Sequence, residues 1–165
     1  MLNTKKVKMK KTILMVFIVL STSLMADAMS KMDLINKAKK EVGEMSPKKL
    51  KSLLDEGEDV VVLDVRESEQ RAEGSIPWDD MNKESFHAIT RGNLEWKIEK
   101  IISDKNVSII TYCRRGGRGA LAAKVLHDMG YKHATTLQGG LQGWAKAGYS
   151  IKTGLGVTTL TKEKK

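Results

Sequence analysis

Two short runs rich in β-branched residues, Val60-Val61-Val62-Leu63 and Val107 to Tyr112, constrain this chain more than any other feature. Neither shows the in–out alternation of a half-solvated strand, so both read as strands buried on two faces, which is the habit of parallel sheets. Parallel neighbours need long crossovers, and helical patterns fill the intervals between the strands. Ala134 to Leu137 reads as a weaker third strand.

The helical patterns are individually readable. Residues 29–44 are polar, with Met32, Leu34, Ile35 and Val42 giving a weak apolar face. Ser46-Pro47 has the form of an N-cap followed by proline at the first helical position, Leu50, Leu53 and Leu54 follow at helical spacing, and Gly57 closes the segment. Ala120, Leu121, Val125, Leu126 and Met129 predict a helix that Gly130 ends, and Leu141 to Ala147 predicts a short one. In the mixed stretch 70–106, Trp96, Ile98, Ile101 and Ile102 suggest a helix preceded by a loop. The expected class is therefore α/β: an open, mainly parallel β-sheet flanked by helices on both faces. Ligands of such sheets sit at the carboxyl ends of the strands. Three notable segments fall there: Asp64-Val65-Arg66-Glu67, Cys113 to Arg118, and Gln138-Gly139-Gly140.

Cys113 is the only cysteine of the 165 residues. It opens the turn Cys113-Arg114-Arg115-Gly116-Gly117-Arg118-Gly119 between the second strand and the following helix. Backbone N–H groups of such a turn can converge on the sulfur, and the helix N-terminus and three arginines favour a thiolate. The alternative is a small buried hydrophobe, the usual fate of a free cysteine, but three arginines and three glycines are poor core material. The glycines let the backbone approach the sulfur closely.

Residues 1–28 are of another kind. Lys5, Lys6, Lys8, Lys10 and Lys11 precede the apolar run Ile13 to Leu20, and Ala26-Asp27-Ala28 offers a small-residue cleavage site, the layout of a secretory signal peptide. The run is shorter than the about 20 residues that span a bilayer, so membrane contact is expected only through this segment if it stays uncleaved. The expected divisions are 1–28 as signal, 29–43 as an N-terminal extension, 44–150 as the domain and 151–165 as a basic tail. Export, to the periplasm of a bacterium, gives the lone thiol meaning, because it cannot form an internal disulfide. The formal charge of +9 falls to +5 beyond residue 28 and has no stacked aromatics with it, so no nucleic-acid partner is expected. No metal or cofactor is expected either.

Taken together, Val62-Leu63-Asp64-Val65-Arg66 with Glu69, Gly74-Ser75-Ile76-Pro77, the thiol loop, and Leu137-Gln138-Gly139-Gly140-Leu141-Gln142-Gly143-Trp144 resemble the rhodanese family of sulfurtransferases. They occur in the family's order over roughly residues 44–150. Ser75 departs from the pattern, where many members carry histidine, and 78–100 is longer than in compact members. The resemblance implies that Cys113 takes a sulfur from a donor such as thiosulfate, carries it as a persulfide, and passes it to a thiol or other thiophilic acceptor. Arg114, Arg115, Gly116, Gly117 and Arg118 are the implied substrate-binding residues. Guanidinium groups at Arg114 and Arg115 suit a small anionic sulfur donor, and basic loops resemble those of thiosulfate users. Asp64 and Arg66 read first as an ion pair supporting the strand end, with a catalytic role as the alternative. His87, His127 and His133 are far from the loop in sequence and are not expected to serve it.

Two other functions remain open at this stage. Cysteine-dependent phosphatases and arsenate reductases of similar fold resemble Cys-x5-Arg, whereas Cys113 to Arg118 is Cys-x4-Arg, a narrower cradle better matched to a single sulfur. A sulfur carrier or binding module without turnover would keep the same loop.

Overall fold

The computed structural model describes residues 28–78 and 83–159. Residues 1–27, which hold nearly all of the expected export signal, lie outside the described residues, as do 79–82 and 160–165. The described residues from Lys31 onward make one compact unit.

In chain order the elements are α1 (Lys31–Val42), β1 (Glu44–Met45), α2 (Pro47–Asp55), β2 (Val60–Asp64), α3 (Ser68–Ala72), β3 (Phe86–Ala88), α4 (Leu94–Ile101), β4 (Ser108–Tyr112), α5 (Gly117–Asp128), β5 (Ala134–Leu137), α6 (Gly140–Lys146), β6 (Ile151–Thr153) and β7 (Gly156–Thr158). The first five strands form an all-parallel sheet in the order β1-β5-β4-β2-β3. Every residue of β2 is buried, as its unbroken apolar run requires. Because side chains alternate, Val61, Leu63, Ile109 and Cys113 join α4 and α5 on one face. Val60, Val62, Ile110 and Tyr112 join α2 and α6 on the other. The thiol and the tyrosine before it thus belong to opposite layers of one core.

The predicted start of α2 is realised: the Lys49 backbone N–H donates to Ser46 Oγ at 3.2 Å, with proline at the first helical turn. Replacing Ser46 by alanine removes this cap and is expected to cost about 1 kcal/mol. Thermal unfolding would check it, a fall of about 3–5 °C being expected for a domain of this size.

The helices expected around Trp96 and from Ala120 both form, and the structure shows which of their residues are buried. Trp96 is 80% exposed and Ile101 is 43% exposed, because Leu94 and Ile98, one turn apart, define the inner stripe of α4, with Ile102 just beyond it. In α5 the buried residues are Gly119, Ala120, Ala122, Ala123 and Leu126, while Val125, and Met129 just beyond the helix, pack only partly. That helix lies between the sheet and α1, and small side chains allow the close approach on both sides. The stretch read as a basic tail begins with the antiparallel hairpin β6–β7. Its Lys152 exchanges two backbone hydrogen bonds of 2.8 Å with Ser75, so the position where Ser75 departs from the family pattern is used through its main chain. Among the described residues no helix is long and apolar enough to cross a membrane.

Candidate functional site

The central strand β4 ends at Tyr112, and the chain turns at once through Cys113 into α5. On either side lie the loops leaving β2 and β5, so the three segments expected at one sheet edge do meet there. The turn is closed by Gly116, whose φ of +92° is open to glycine and strained for other residues. In this conformation the Gly116 N–H donates to Cys113 Sγ at 3.2 Å. It is the one backbone N–H among the described residues that reaches the sulfur, fewer than the converging set expected for the turn. Cys113 is 3% exposed and packs in the apolar core cluster, yet it also lines a surface pocket of about 340 Å³ with Arg114, Arg115, Gly117 and Arg118. The residue is thus part of the apolar core and at the same time lines a basic pocket.

The α6 N-terminus fixes this loop from behind. Leu141 N–H donates to the Cys113 carbonyl at 2.8 Å and Gln142 N–H donates to the Arg114 carbonyl at 3.0 Å. These are two of the donors a helix leaves unpaired at its start. The approach is so close that a Cβ at Gly140 would stand 2.3 Å from the Cys113 carbonyl oxygen and 2.8 Å from Gly116 N. The Gly139-Gly140 pair is thus the surface against which the thiol loop is moulded. Gly117 opens α5 and lies against Ile35 of α1.

Asp64 and Arg66 form a buried, bidentate pair: Arg66 Nε and Nη2 donate to the Asp64 carboxylate, with Nη2 to Oδ2 at 2.6 Å. Arg66 is fully buried, and its remaining donors reach the carbonyls of Gln70 at 2.9 Å and Gly74 at 2.7 Å. The pair therefore braces the chain around α3 rather than facing the thiol pocket, which it does not line. Burial, reinforced by the Asp64 carboxylate, pushes the Tyr112 phenol up, so it stays protonated in the layer opposite the thiol.

The loop arginines differ in their surroundings. Arg114 Nε is 3.9 Å from Glu73, and Arg118 Nη1 is 3.9 Å from Glu67 while its Nη2 donates to Gln70 Oε1. Arg115 is exposed and has no acidic partner among the described residues. Sequence reading placed the segment ending at Glu67 on the same sheet edge as the loop but missed its pairing with Arg118, and it missed Gln70 and Glu73 altogether, since only the fold brings these distant residues to the loop. None of the three histidines lines the pocket; His127 Nε2 instead lies 2.7 Å from the Ala134 carbonyl, and His87 sits on β3.

A rhodanese-like domain model matches residues 46–147. A sulfurtransferase of Allochromatium vinosum is 33% identical over 110 residues, covering 67% of this chain and 94% of the relative. YtwF of Bacillus subtilis, a candidate sulfurtransferase, is 34% identical over 104 residues, or 63% and 91% of the two chains. Among solved structures, a Rhodopseudomonas palustris protein described as a candidate tyrosine phosphatase superposes with a TM-score of 0.66 at 28% identity, covering 75% of this chain and 95% of the other.

Proposed function

The chain belongs to the rhodanese-like family and is homologous to sulfurtransferases, and from that premise we propose that it moves a sulfane sulfur from thiosulfate, or a donor of the same charge and shape, through a persulfide on Cys113. The observation that carries this reading is that Cys113 lines a pocket together with three arginines, with the Gly116 N–H on the sulfur itself. In the first step the Cys113 thiolate attacks the outer sulfur of thiosulfate. The donor's S–S bond breaks, its electron pair leaves with sulfite, and a Cys–S–S⁻ group remains. In the second step an acceptor thiolate or cyanide attacks the terminal sulfur, and the Cys113 thiolate is released. No proton transfer to a histidine is needed in either step.

Arg115 receives the donor's oxyanion, because its guanidinium carries no competing carboxylate. Arg115→Ala is expected to raise KM for thiosulfate about tenfold, the loss of one charge-assisted hydrogen bond, with a smaller change in kcat. Thiocyanate formation from thiosulfate and cyanide measures both quantities. Purified protein that forms thiocyanate in a Cys113-dependent way is an enzyme. Sulfur uptake without thiocyanate would make it a carrier, and phosphate-ester hydrolysis lost with Cys113 would move it to the phosphatases. The four-residue spacing from Cys113 to Arg118 supports the sulfur reading over the last of these. The protein works outside the cytoplasm, on the layout of its first 28 residues, with a small anionic donor and a thiophilic acceptor as its partners.

A further inference from the structure

The segment around α3 runs beside the thiol loop as an acidic strap, and its construction is specific. It starts at Glu67 and passes Gln70 to Glu73, and these three side chains engage Arg118 and Arg114 of the thiol loop. The strap is held by buried chemistry. Arg66, locked to Asp64, donates to the main chain at Gln70 and at Gly74, while Arg71 returns a hydrogen bond to the Arg66 carbonyl. A buried ion pair thus spends its spare donors on fixing the segment that carries the carboxylates. Glu69 lies on the same helix, but its carboxylate accepts from Ser68 Oγ at 2.9 Å and reaches no arginine of the loop.

We infer that Glu67 and Glu73 are internal counter-anions of the sulfur-donor pocket, which set how tightly it holds an oxyanion. The inference rests on the donor pocket assigned above and names the residues that tune it. With the strap in place, two of the three loop guanidiniums already face a carboxylate, and Arg115 alone offers uncompensated charge. A pocket with three bare arginines would bind thiosulfate more tightly, but it would also retain the sulfite released beside the persulfide, since donor and leaving group are both oxyanions. The carboxylates lower the affinity for both and allow exchange. Their own ion pairs, long at 3.9 Å and about half exposed, contribute little to stability and are easily displaced.

The test uses sulfate as an inert probe, so that it does not depend on turnover. At constant ionic strength, the sulfate concentration that halves the rate of Cys113 alkylation by iodoacetamide is measured for the wild type, Glu67→Gln, Glu73→Gln and the double variant. Removing a unit charge a few ångströms from a dianion is expected to lower that concentration about threefold per glutamate and about tenfold in the double variant. KM for thiosulfate should fall in parallel with kcat little changed, and inhibition by sulfite should strengthen. Glu69→Gln changes net charge equally from the same helix and should leave every value unchanged, which separates a local effect from a global one. An unchanged or raised half-protection concentration in the double variant would overturn the inference, as would no protection by sulfate in any form. Failure of the wild type to take up sulfur from thiosulfate would instead count against the transfer reaction, and the protection result would still decide the role of the strap.

Discussion

Cys113→Ala is expected to reduce thiosulfate-dependent thiocyanate formation to background, a loss of at least about 10³-fold, because no other residue can supply the sulfur nucleophile in a chain with one cysteine. The same change should leave the fold intact. Cys113 packs among Val65, Ile109 and Ala122 in the core, so exchanging its sulfur for a small void costs about 1 kcal/mol, which a domain of this kind tolerates. Steady-state rates together with thermal unfolding separate the two effects: activity absent, Tm lowered by a few degrees. Activity surviving in folded Cys113→Ala protein would place the chemistry elsewhere.

Gly140→Ala is expected to be the most damaging single methyl group in the site. The position has φ of +59°, where a Cβ is itself strained by about 1 kcal/mol, and the added carbon would overlap the Cys113 carbonyl and Gly116 N. Neither neighbour is a flexible side chain. To make room, the α6 N-terminus must withdraw from the thiol loop, which gives up the hydrogen bonds from Leu141 and Gln142 and moves the Gly116 N–H relative to the sulfur. A destabilisation of roughly 2–4 kcal/mol follows from strain and overpacking combined. The Tm should drop by about 10 °C, and the alkylation rate of Cys113 should change in the protein that remains folded. Gly148→Ala serves as the comparison: it also has positive φ, but a Cβ there meets nothing, so it should lower Tm modestly and leave Cys113 reactivity alone.

What could be read from the chain was decided by how local the causes are. The strands at Val60 and Val107 and the cap at Ser46 are set by neighbours a few residues away, and all appear within a residue or two of their expected places. β1 and β3, of two and three residues, are too short for a periodic signal and exist because they pair with β5 and β2. The exposure of Trp96 shows the limit of reading apolar residues as inward-facing, since the turn of α4 and not the residue type chooses its side. At the site, the thiol loop was legible because its chemistry is contiguous in sequence. Its supports were less so. The strand ends placed Glu67 and Gly140 near the loop, but that Gly140 backs the Cys113 carbonyl and that Glu67 and Glu73 face particular loop arginines are contacts for which residue spacing offers no signal. Asp64 and Arg66 were legible as a pair, but their use in holding the segment around α3 depends on carbonyls at Gln70 and Gly74 that only the folded chain brings into reach.

The central claim is that Cys113 accepts one sulfur atom from an anionic donor and surrenders it to an acceptor. Intact-mass measurement of the purified protein after incubation with thiosulfate tests it directly. The expected result is a gain of one sulfur atom on the peptide containing Cys113, lost again on brief treatment with cyanide and absent from Cys113→Ala. An unchanged mass in folded protein whose Cys113 still reacts with iodoacetamide would contradict it.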